Sequence, residues 1–440
     1  MARMKASAYI LTALAAVAGC GGGGGDSAVV DSGGVVVDDA GRVVVQDAAP
    51  RPDGSGAACM AGNLLAPLGK SHVLVGGAMA DTTANSIPID LRYLYLSGGI
   101  ADGAGPCSSC ASGCMAGGTS CANSGPGCAW WGCWQYDQVP PGDYVKQLLD
   151  KTATRQQLPM ITYYMILQAG GSAEGAAEVT KANDATFMRR YYADWRFLLQ
   201  RIGQTRALLH IEPDFWGYAE QVNENPTAIP AAVASANATD CAAQPNTIAG
   251  MGRCMIAMVR KYAPNALVGL HASGWGTKID VLSNTNMSLD VAAEARKLGT
   301  FMLAIGAADG DFVVIETSDR DAGYYASIGQ NNRTWDPMNL TLPNYRQAMT
   351  WAKALAEQTG KPNLWWQLPL GNVMLNNTSE HWRDTRVDYF FDHPDEIAAA
   401  HGAGMAFGAG AGGQTTPETD NGHFASRVRA YAANPQPVCP

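Results

Sequence analysis

Three ionisable side chains stand at alternate positions in the segment His210-Ile211-Glu212-Pro213-Asp214. Alternate residues of a strand point to the same face, so His210, Glu212 and Asp214 are predicted to share one face. Two neighbouring carboxyls are costly to bury, and the charge of one raises the pKa of the other. The pattern indicates acid–base chemistry by these carboxyls, with a structural role for one of them, Glu212 or Asp214, as the alternative. Glu212 is either a second catalytic group or a structural carboxyl held by an arginine or by backbone amides.

Further polar and aromatic side chains follow apolar segments along the chain. Glu316 and Asp319 are candidates for a second catalytic carboxyl, and Asp319-Arg320-Asp321 is either a self-paired ion cluster or a substrate contact. The candidates for hydrogen bonds to hydroxyl groups are His271, Gln367 and Gln414. The candidates for stacking on flat ring faces are Trp134, Trp216, Trp275 and Trp365. Trp366 is predicted to pack in the core, with its neighbour Gln367 pointing the other way.

Short apolar segments that alternate with longer amphipathic ones must position these residues. The apolar segments predict eight strands, at 72–78, 91–96, 160–167, 207–211, 266–270, 312–315, 364–368 and 404–407. The amphipathic segments predict helices, among them 184–202, 248–262, 289–298, 343–359 and 394–401. This order predicts an α/β protein with a (β/α)8 TIM-like barrel, whose active sites form at the C-terminal strand ends. A doubly wound sheet is the alternative, but the glycine-rich fingerprint of dinucleotide binding is absent after the first strand.

Ten of the eleven cysteines fall in the predicted barrel domain, residues 59–440. Six of them lie between Cys107 and Cys133, in a Gly- and Ser-rich insertion, 101–137, after the second strand. Because this insertion cannot bury a core of its own, disulfides are expected to hold it, in a connectivity that sequence does not choose. A zinc site is the alternative, but no histidine lies nearby. The other predicted disulfides are Cys241–Cys254 and Cys59–Cys439.

Residues 1–19 have the features of a signal peptide, with Arg3 and Lys5 ahead of an apolar run too short to span a bilayer. The residues Val17-Ala18-Gly19-Cys20 resemble the bacterial lipobox, which implies cleavage before Cys20 and its lipidation. An ordinary signal peptide with a chance cysteine is the alternative. A lipidated chain would be anchored to the cell envelope outside the cytoplasm, and the absence of aspartate at position 21 favours the outer membrane.

The segment 20–58 is rich in Gly, Asp, Ala and Val and lacks aromatic residues and helical periodicity. This composition predicts a flexible tether between the lipid and the barrel domain. The alternative is a short hairpin made by the valines at 35–37 and 43–45.

The net charge of the chain bears on which kinds of molecule it can bind. The chain has 30 Lys and Arg against 39 Asp and Glu, a formal net charge of −9 at pH 7. Such a protein binds nucleic acid poorly, because phosphates repel it. A neutral substrate such as a carbohydrate fits better, and we expect a monomer without a metal or an organic cofactor.

The stretch 209–275 resembles glycoside hydrolase family 6. The resemblance rests on Leu209-His210-Ile211-Glu212-Pro213-Asp214, the cysteine pair that follows, and His271-Ala272-Ser273-Gly274-Trp275. In those cellulases an I-E-P-D strand end supplies the general acid of an inverting mechanism on a distorted barrel. The resemblance therefore implies glycosidic-bond hydrolysis with Asp214 as the general acid.

Two departures from that family bear on function. The family has an aspartate just before the histidine, where this chain has Gly269-Leu270, and an aspartate-rich motif after strand three, where this chain has Ile166-Leu167-Gln168. They leave a non-catalytic, glycan-binding surface lipoprotein as the alternative to an enzyme. A metal-dependent hydrolase that uses His271 with Glu212 or Asp214 is a third class, although no second histidine stands at metal-ligand spacing.

A second comparison concerns the stereochemistry. Many retaining barrel glycosidases place the acid on strand four and a glutamate nucleophile on strand seven, where this chain has Gln367, which cannot attack. The prediction is therefore an inverting glycosidase that acts on a polysaccharide or oligosaccharide. Asp214 would be its acid, and Glu316 or Asp319 its base, about 6.5–9.5 Å away to leave room for water.

Overall fold

The computed structural model describes residues 59–98, 100, 134–136 and 141–439 and four two-residue strands. Those strands are Val36–Val37, Val43–Val44, Met115–Ala116 and Thr119–Ser120. The chain divides into two compact units, Met1–Pro52 and Asp53–Pro440. In the first unit Val36–Val37 pairs antiparallel with Val43–Val44, which is the hairpin that the sequence left as an alternative. The predicted signal peptide, Cys20 and the rest of segment 20–58 lie outside the described residues.

The second unit contains a closed barrel of eight parallel strands, which confirms the predicted (β/α)8 fold. Each strand pairs in parallel with the next one along the chain, and the eighth pairs with the first. The strands are β1 (Leu74–Gly77), β2 (Leu91–Leu96), β3 (Leu158–Tyr163), β4 (Leu208–Ile211), β5 (Leu267–His271), β6 (Phe312–Glu316), β7 (Asn363–Leu368) and β8 (Gly402–Phe407).

Helices lie before, between and after the strands. They are α1 (Met60–Leu65), α2 (Asp81–Ser86), α3 (Asp143–Thr154), α4 (Ile166–Gly170), α5 (Ala176–Lys181), α6 (Ala185–Ile202), α7 (Phe215–Val222), α8 (Ala238–Cys241), α9 (Ile248–Tyr262), α10 (Val291–Ala304), α11 (Ala322–Ser327), α12 (Tyr345–Thr359), α13 (Arg386–Asp392), α14 (Pro394–Ala399) and α15 (His423–Ala433). Short 3-10 turns occur at Ala66–Leu68, Trp134–Tyr136, Val281–Ser283, Ala307–Asp309 and Asn331–Arg333. In the part of the chain that is described, no helix has the length and apolar character needed to cross a membrane.

Side-chain caps fix where three of the longer helices begin. Asp184, Thr247 and Asn344 precede α6, α9 and α12, and each accepts a hydrogen bond from a backbone N–H of the first turn. These N–H groups have no partner within the helix, so each cap contributes about 1 kcal/mol. The caps therefore fix the first residue of each helix.

Most predicted boundaries lie within two residues of the observed ones, but the third strand ends four residues early and the helix predicted at 289–298 ends at Ala304. The third strand was expected to reach residue 167, but it ends at Tyr163. It ends there because the backbone N–H groups of Met165 and Ile166 donate to the carboxylate of Glu212. The helix predicted from 289 begins at Val291, because Asp290 caps it by accepting from the N–H of Ala293.

The cysteine-rich insertion follows β2, as predicted. Within it Met115–Ala116 pairs antiparallel with Thr119–Ser120, and Trp134–Tyr136 forms a 3-10 turn. Its six cysteines lie outside the described residues, so their disulfides and the zinc alternative stay predictions. The two disulfides predicted elsewhere are confirmed: Cys241–Cys254 links α8 to α9, and Cys59–Cys439 joins the two ends of the barrel domain.

The disulfide between the ends leads to a first prediction. Replacing both Cys59 and Cys439 by alanine should lower the free energy of unfolding by about 3–5 kcal/mol, because the closed loop restricts the unfolded chain. The loop spans 380 residues, against 13 for Cys241–Cys254. Denaturant unfolding without reductant measures the change, and the Cys241→Ala/Cys254→Ala variant is the matched control. Unchanged stability of the Cys59/Cys439 variant would contradict the prediction.

Candidate active site

The chain makes an unusual turn where β4 ends. Glu212 and Asp214 have positive φ angles of 48° and 65°, a backbone region that residues other than glycine seldom adopt. Each such residue costs about 1–3 kcal/mol, and such strain clusters at functional sites. Asp214 then precedes α7, directly at the C-terminal end of the barrel.

This turn separates the three side chains that were predicted to share a face, so that prediction is wrong. His210 lies inside the barrel, where its Nε2 is 3.0 Å from Nδ1 of His271. Glu212 points to α6 and accepts a hydrogen bond from the hydroxyl of Tyr191 at 2.9 Å. Asp214 lies at the barrel mouth, beside His271 and Glu316. The parity rule holds only while the backbone stays extended, and it fails at the first positive φ.

Glu212 has the environment of a structural carboxyl. It is fully buried and accepts from the backbone N–H of Met165 at 3.1 Å and of Ile166 at 3.3 Å, in addition to Tyr191. Burial raises its pKa to about 8, and the hydrogen bonds act in the opposite direction. It thereby ties the end of β3 to the end of β4, which places Asp214.

A second prediction concerns this carboxyl. Glu212→Ala should lower the free energy of unfolding by about 2–4 kcal/mol, because it leaves two buried N–H groups and a hydroxyl without an acceptor. Glu212→Gln keeps one acceptor oxygen and should cost clearly less. Thermal and denaturant unfolding of both variants measures this, and equal, small losses would show that these hydrogen bonds do not hold the turn.

Three side chains from consecutive strands meet at the mouth. Asp214, His271 and Glu316 each place one nitrogen or oxygen within 4.8 Å of the others, and Nε2 of His271 is 3.8 Å from Oε1 of Glu316. His271 and Glu316 are buried and Asp214 is half-buried. This spacing suits two carboxyls that share a proton, and it would also admit a metal ion between the three groups.

The electrostatics of the cluster favour protonated carboxyls and neutral imidazoles. Burial raises the pKa of Asp214 well above its usual range, and the charges of Glu316 and Asp319 raise it further. Burial also raises the pKa of Glu316, with Asp319 adding to the effect and Arg333 opposing it. Burial lowers the pKa of His271 to about 4, against the attraction of Asp214 and Asp319. The two carboxyls therefore titrate as a pair.

The interior below the cluster is closed by aromatic side chains. Trp366 sets its ring edge-on against His210 at 4.6 Å and against His271 at 5.7 Å between centroids. It packs in the core, as predicted. Gln367 also faces the interior, where the hydroxyl of Tyr95 donates to its side-chain oxygen. The prediction that Gln367 points away from Trp366 is wrong, because Gln367 has a φ of 54° at a register shift between β7 and β8.

The loop after β6 divides its three charged residues between different partners. Asp319 is exposed at the rim of the mouth. The guanidinium of Arg320 lies 4.2 Å over the ring of Tyr324 and donates to the carbonyl of Gly412. Asp321 is fully buried and accepts from the backbone N–H groups of two other loops. Asp321 is thus structural, and Asp319 remains the accessible carboxyl of this loop.

Three of the four predicted stacking tryptophans are buried, which is a correction. Trp134, Trp216 and Trp365 are at most 1% exposed, so none offers a ring face to a substrate. Trp365 points outward from β7 onto Phe390 of α13. Only Trp275 is half-buried, and its ring lies 4.6 Å from that of Tyr218, also half-buried.

The prediction that Gln414 binds a substrate hydroxyl is also wrong. Its side-chain nitrogen donates to the carbonyl of Asp319 at 2.7 Å, and its side-chain oxygen accepts from the N–H of Ala411 at 2.6 Å. Both ends of the amide therefore hold loops together, and the side chain is too deeply buried, at 2% exposure, to meet a substrate hydroxyl. An amide in a glycine-rich loop can serve either role, and the sequence does not distinguish them.

The structure adds residues that sequence reasoning missed. Thr162 of β3 places its hydroxyl 3.2 Å from Nδ1 of His210. Its signal was a lone polar residue among the apolar ones of that strand. Tyr324, in α11 after β6, and Trp382, in the loop after β7, form a second half-buried aromatic pair with 5.6 Å between ring centroids.

Comparisons with known proteins gave structural neighbours only. No protein-family model matches the sequence, and no curated protein matches it. One similar solved structure is a modular endo-beta-1,4-mannanase of glycoside hydrolase family 26 from Cellulomonas fimi, at 12% identity and a TM-score of 0.45 over 86% of this chain and 75% of that one. A glycoside hydrolase family 44 xyloglucanase from Paenibacillus polymyxa matches at 10% and 0.40 over 83% and 78%. A fungal beta-1,4-galactanase matches at 9% and 0.38 over 79% and 89%.

Proposed function

We propose that this protein hydrolyses glycosidic bonds at the mouth of the barrel, with Asp214 as the general acid. The observation that carries the proposal is the pair of carboxyls, Asp214 and Glu316, with oxygens within 4.8 Å at the ends of β4 and β6. Catalytic residues of such barrels lie at this end, and two carboxyls beside the scissile bond are what glycoside hydrolysis requires.

The spacing of the pair favours retention of configuration over the inversion that the family 6 resemblance implied. Retaining pairs lie about 5–5.5 Å apart, whereas inverting pairs stand about 6.5–9.5 Å apart to admit a water. Gln367 on β7 does not bar retention, because the second carboxyl comes from β6 instead. Glu316 is accordingly the nucleophile, and Asp319, exposed at the rim, is not required as a base.

The reaction then proceeds in two displacements. Asp214 gives its proton to the glycosidic oxygen as that bond breaks, and a carboxylate oxygen of Glu316 bonds to the anomeric carbon. In the second step Asp214 takes a proton from water, whose oxygen attacks the same carbon and releases Glu316. Both residues return to their starting states, and two inversions at the carbon give net retention.

The charges around the pair support this division of roles. Before reaction the acid must be protonated and the nucleophile ionised. Asp214 experiences the negative charges of Glu316 and Asp319, which favour its protonated form. Glu316 also experiences the positive charge of Arg333, which favours its ionised form against the effects of Asp319 and Asp280. One proton shared by the pair therefore belongs on Asp214.

The substrate is a neutral polysaccharide or oligosaccharide. Trp275, in the loop after β5, and Tyr218, in α7 after β4, present half-buried rings next to the strand ends that carry His271 and Asp214. The face of a sugar ring packs on such side chains, while its hydroxyls need polar partners. Gln367 is the predicted partner at the mouth, whereas His271 is 0% exposed and directs its Nε2 at Glu316.

A screen of the full chain against soluble polysaccharides, with release of reducing ends as the signal, tests the proposal. Turnover that disappears in Asp214→Asn supports a glycosidase. Binding of a glycan without turnover supports the alternative of a non-catalytic, glycan-binding lipoprotein, which the missing family aspartates favour. Stoichiometric metal in the purified protein, with activity lost on chelation, would instead favour a metal-dependent hydrolase, for which the three-residue cluster is the specific observation.

The envelope location is part of the same proposal. Cys20 carries the lipid, and the barrel acts outside the cytoplasm on the outer membrane as a monomer that does not bind nucleic acid. Mass spectrometry of the mature N-terminal peptide tests the modification. A Cys20→Ala protein that still sediments with membranes would argue against the anchor.

A further inference from the structure

A row of three polar side chains crosses the barrel interior beneath the carboxyl pair. Strand register places Thr162 of β3 opposite His210 of β4, and His271 lies two residues beyond Gly269, the partner of His210 on β5. The hydroxyl of Thr162 is 3.2 Å from Nδ1 of His210, and Nε2 of His210 is 3.0 Å from Nδ1 of His271. All three side chains are 0% exposed. We call Thr162, His210 and His271 the imidazole row.

Hydrogen bonds along this row must all run in the same direction. Burial lowers the pKa of His210 well below its usual range and that of His271 to about 4, so both rings are neutral near pH 7. A neutral imidazole has one N–H donor and one acceptor nitrogen. Either the row donates from Thr162 towards His271, or it donates in the reverse direction.

The group at the end of the row decides between these directions. Nε2 of His271 has no hydrogen-bond partner among the described residues, and it faces Glu316 at 3.8 Å with Asp214 close by. An N–H at that position attracts Glu316 in the ionised form that the proposed mechanism requires, whereas a lone pair on Nε2 would repel it. Nε2 therefore carries the hydrogen. It follows that Nδ1 of His271 accepts from His210, and Nδ1 of His210 accepts from the hydroxyl of Thr162.

We propose that Thr162 and His210 are positioning residues that hold His271 in its Nε2–H form, so that this N–H stabilises the ionised form of Glu316. This inference rests on the proposed function, because it explains why the shared proton stays on Asp214. The present 3.8 Å is an electrostatic contact, and such contacts commonly shorten to hydrogen bonds once substrate is bound. The hydrogen bond made by one nitrogen of an imidazole decides whether the other nitrogen carries the hydrogen.

Other groups around the pair do not replace this donor. Asp319 and Asp280 are negative and act on Glu316 in the opposite sense, and Arg333 is the positive group that acts with His271. Arg333 also forms an ion pair with Asp280 at 2.9 Å, which reduces its effect. The edge of Trp366 closes the row against water. Of the three residues of the imidazole row, His271 is thus the one whose N–H faces Glu316.

The first test does not require a substrate. Long-range proton–nitrogen correlation spectra of the full chain labelled with 15N-histidine report the tautomer of each of its seven histidines. His271→Gln and His210→Gln assign the two signals by their loss. Both rings should be neutral with hydrogen on Nε2 at pH 7. A His271 with hydrogen on Nδ1, or a charged ring, would overturn the proposal.

The second test uses a substrate found by the screen. Thr162→Val keeps the shape of the side chain but removes the hydroxyl, so His210 is free to reverse. We expect kcat to fall by about 10–100-fold, as other residues that orient a ligating or catalytic histidine show, with little change in KM. The acid limb of the kcat/KM profile should move to higher pH, because Glu316 becomes harder to ionise. Thr162→Ser should restore the wild-type profile.

The outcomes separate this proposal from the proposed function. A wild-type pH profile in Thr162→Val, in a protein that folds, would overturn the role of the row even if the enzyme is a glycosidase. The predicted tautomers in a protein that turns over no glycan would leave the row in place and reject the glycosidase. A loss of activity that Thr162→Ser does not restore would mean that the position matters for packing alone.

Discussion

Asp214→Asn is expected to reduce kcat by about 10²–10⁴-fold on a natural polysaccharide, because asparagine cannot donate a proton to the leaving oxygen. The side chain keeps its size and its place before α7, so the fold and glycan binding should persist. KM should change little, since the proton is transferred only in the transition state. Release of reducing ends from wild type and variant, with glycan binding measured in parallel, provides the comparison.

A substrate that needs no acid sharpens this test. An aryl glycoside with an acidic phenol leaves without protonation, so the first displacement should be nearly as fast in Asp214→Asn as in wild type. Glu212→Gln is the matched control, since that carboxyl is hydrogen-bonded to the turn and faces away from the pair. Full activity of Asp214→Asn on every substrate, or an equal loss in Glu212→Gln, would remove Asp214 from the role of acid.

The sequence predicted the barrel and the strand ends well, for a physical reason. Eight parallel strands buried on both faces are short apolar segments, and the helices between them show their own period. Parallel strands that close into a barrel bring their C-terminal ends together. Asp214, His271 and Glu316 could therefore be expected to meet although about 100 residues separate the first from the last.

What the sequence did not predict is which way several side chains point. Glu212 and Gln367 both have positive φ angles, and each breaks the alternation of faces on which the prediction rested. A glycine at these positions would have indicated a positive φ angle, whereas glutamate and glutamine give no such indication. The direction of Glu212 also ended β3 early, so one unusual backbone angle produced two errors.

Aromatic residues were the other source of error. Tryptophan suits both a protein core and a sugar-binding surface, so residue type alone does not separate the two. Trp365 and Trp366 are adjacent, and β7 is buried on both faces, so one packs against a helix and the other fills the barrel. Counting tryptophans near strand ends therefore overestimated the binding surface.

The stereochemistry of the product is the sharpest consequence of the close approach of the two carboxyls, whose oxygens lie within 4.8 Å of each other. Proton NMR of the reaction mixture in its first minutes should show the product with the same anomeric configuration as the bond that was cleaved. An inverted first product would mean that water attacks directly. The two carboxyls would then have to stand farther apart in the complex to admit a water, and Asp319 would regain its place as a candidate base.

Glu316→Gln should reduce kcat on every substrate by on the order of 10⁴-fold, because glutamine cannot form the glycosyl ester. Unlike Asp214→Asn, it should fail on activated aryl glycosides as well, since they still need a nucleophile.

The ester itself should be detectable. Asp214→Asn lacks the base for the second step, so it should accumulate the intermediate on an aryl glycoside. Mass spectrometry of its peptides should locate one added sugar on Glu316. A sugar on Asp319, or turnover by Glu316→Gln at the wild-type rate, would transfer the role of nucleophile to another carboxyl.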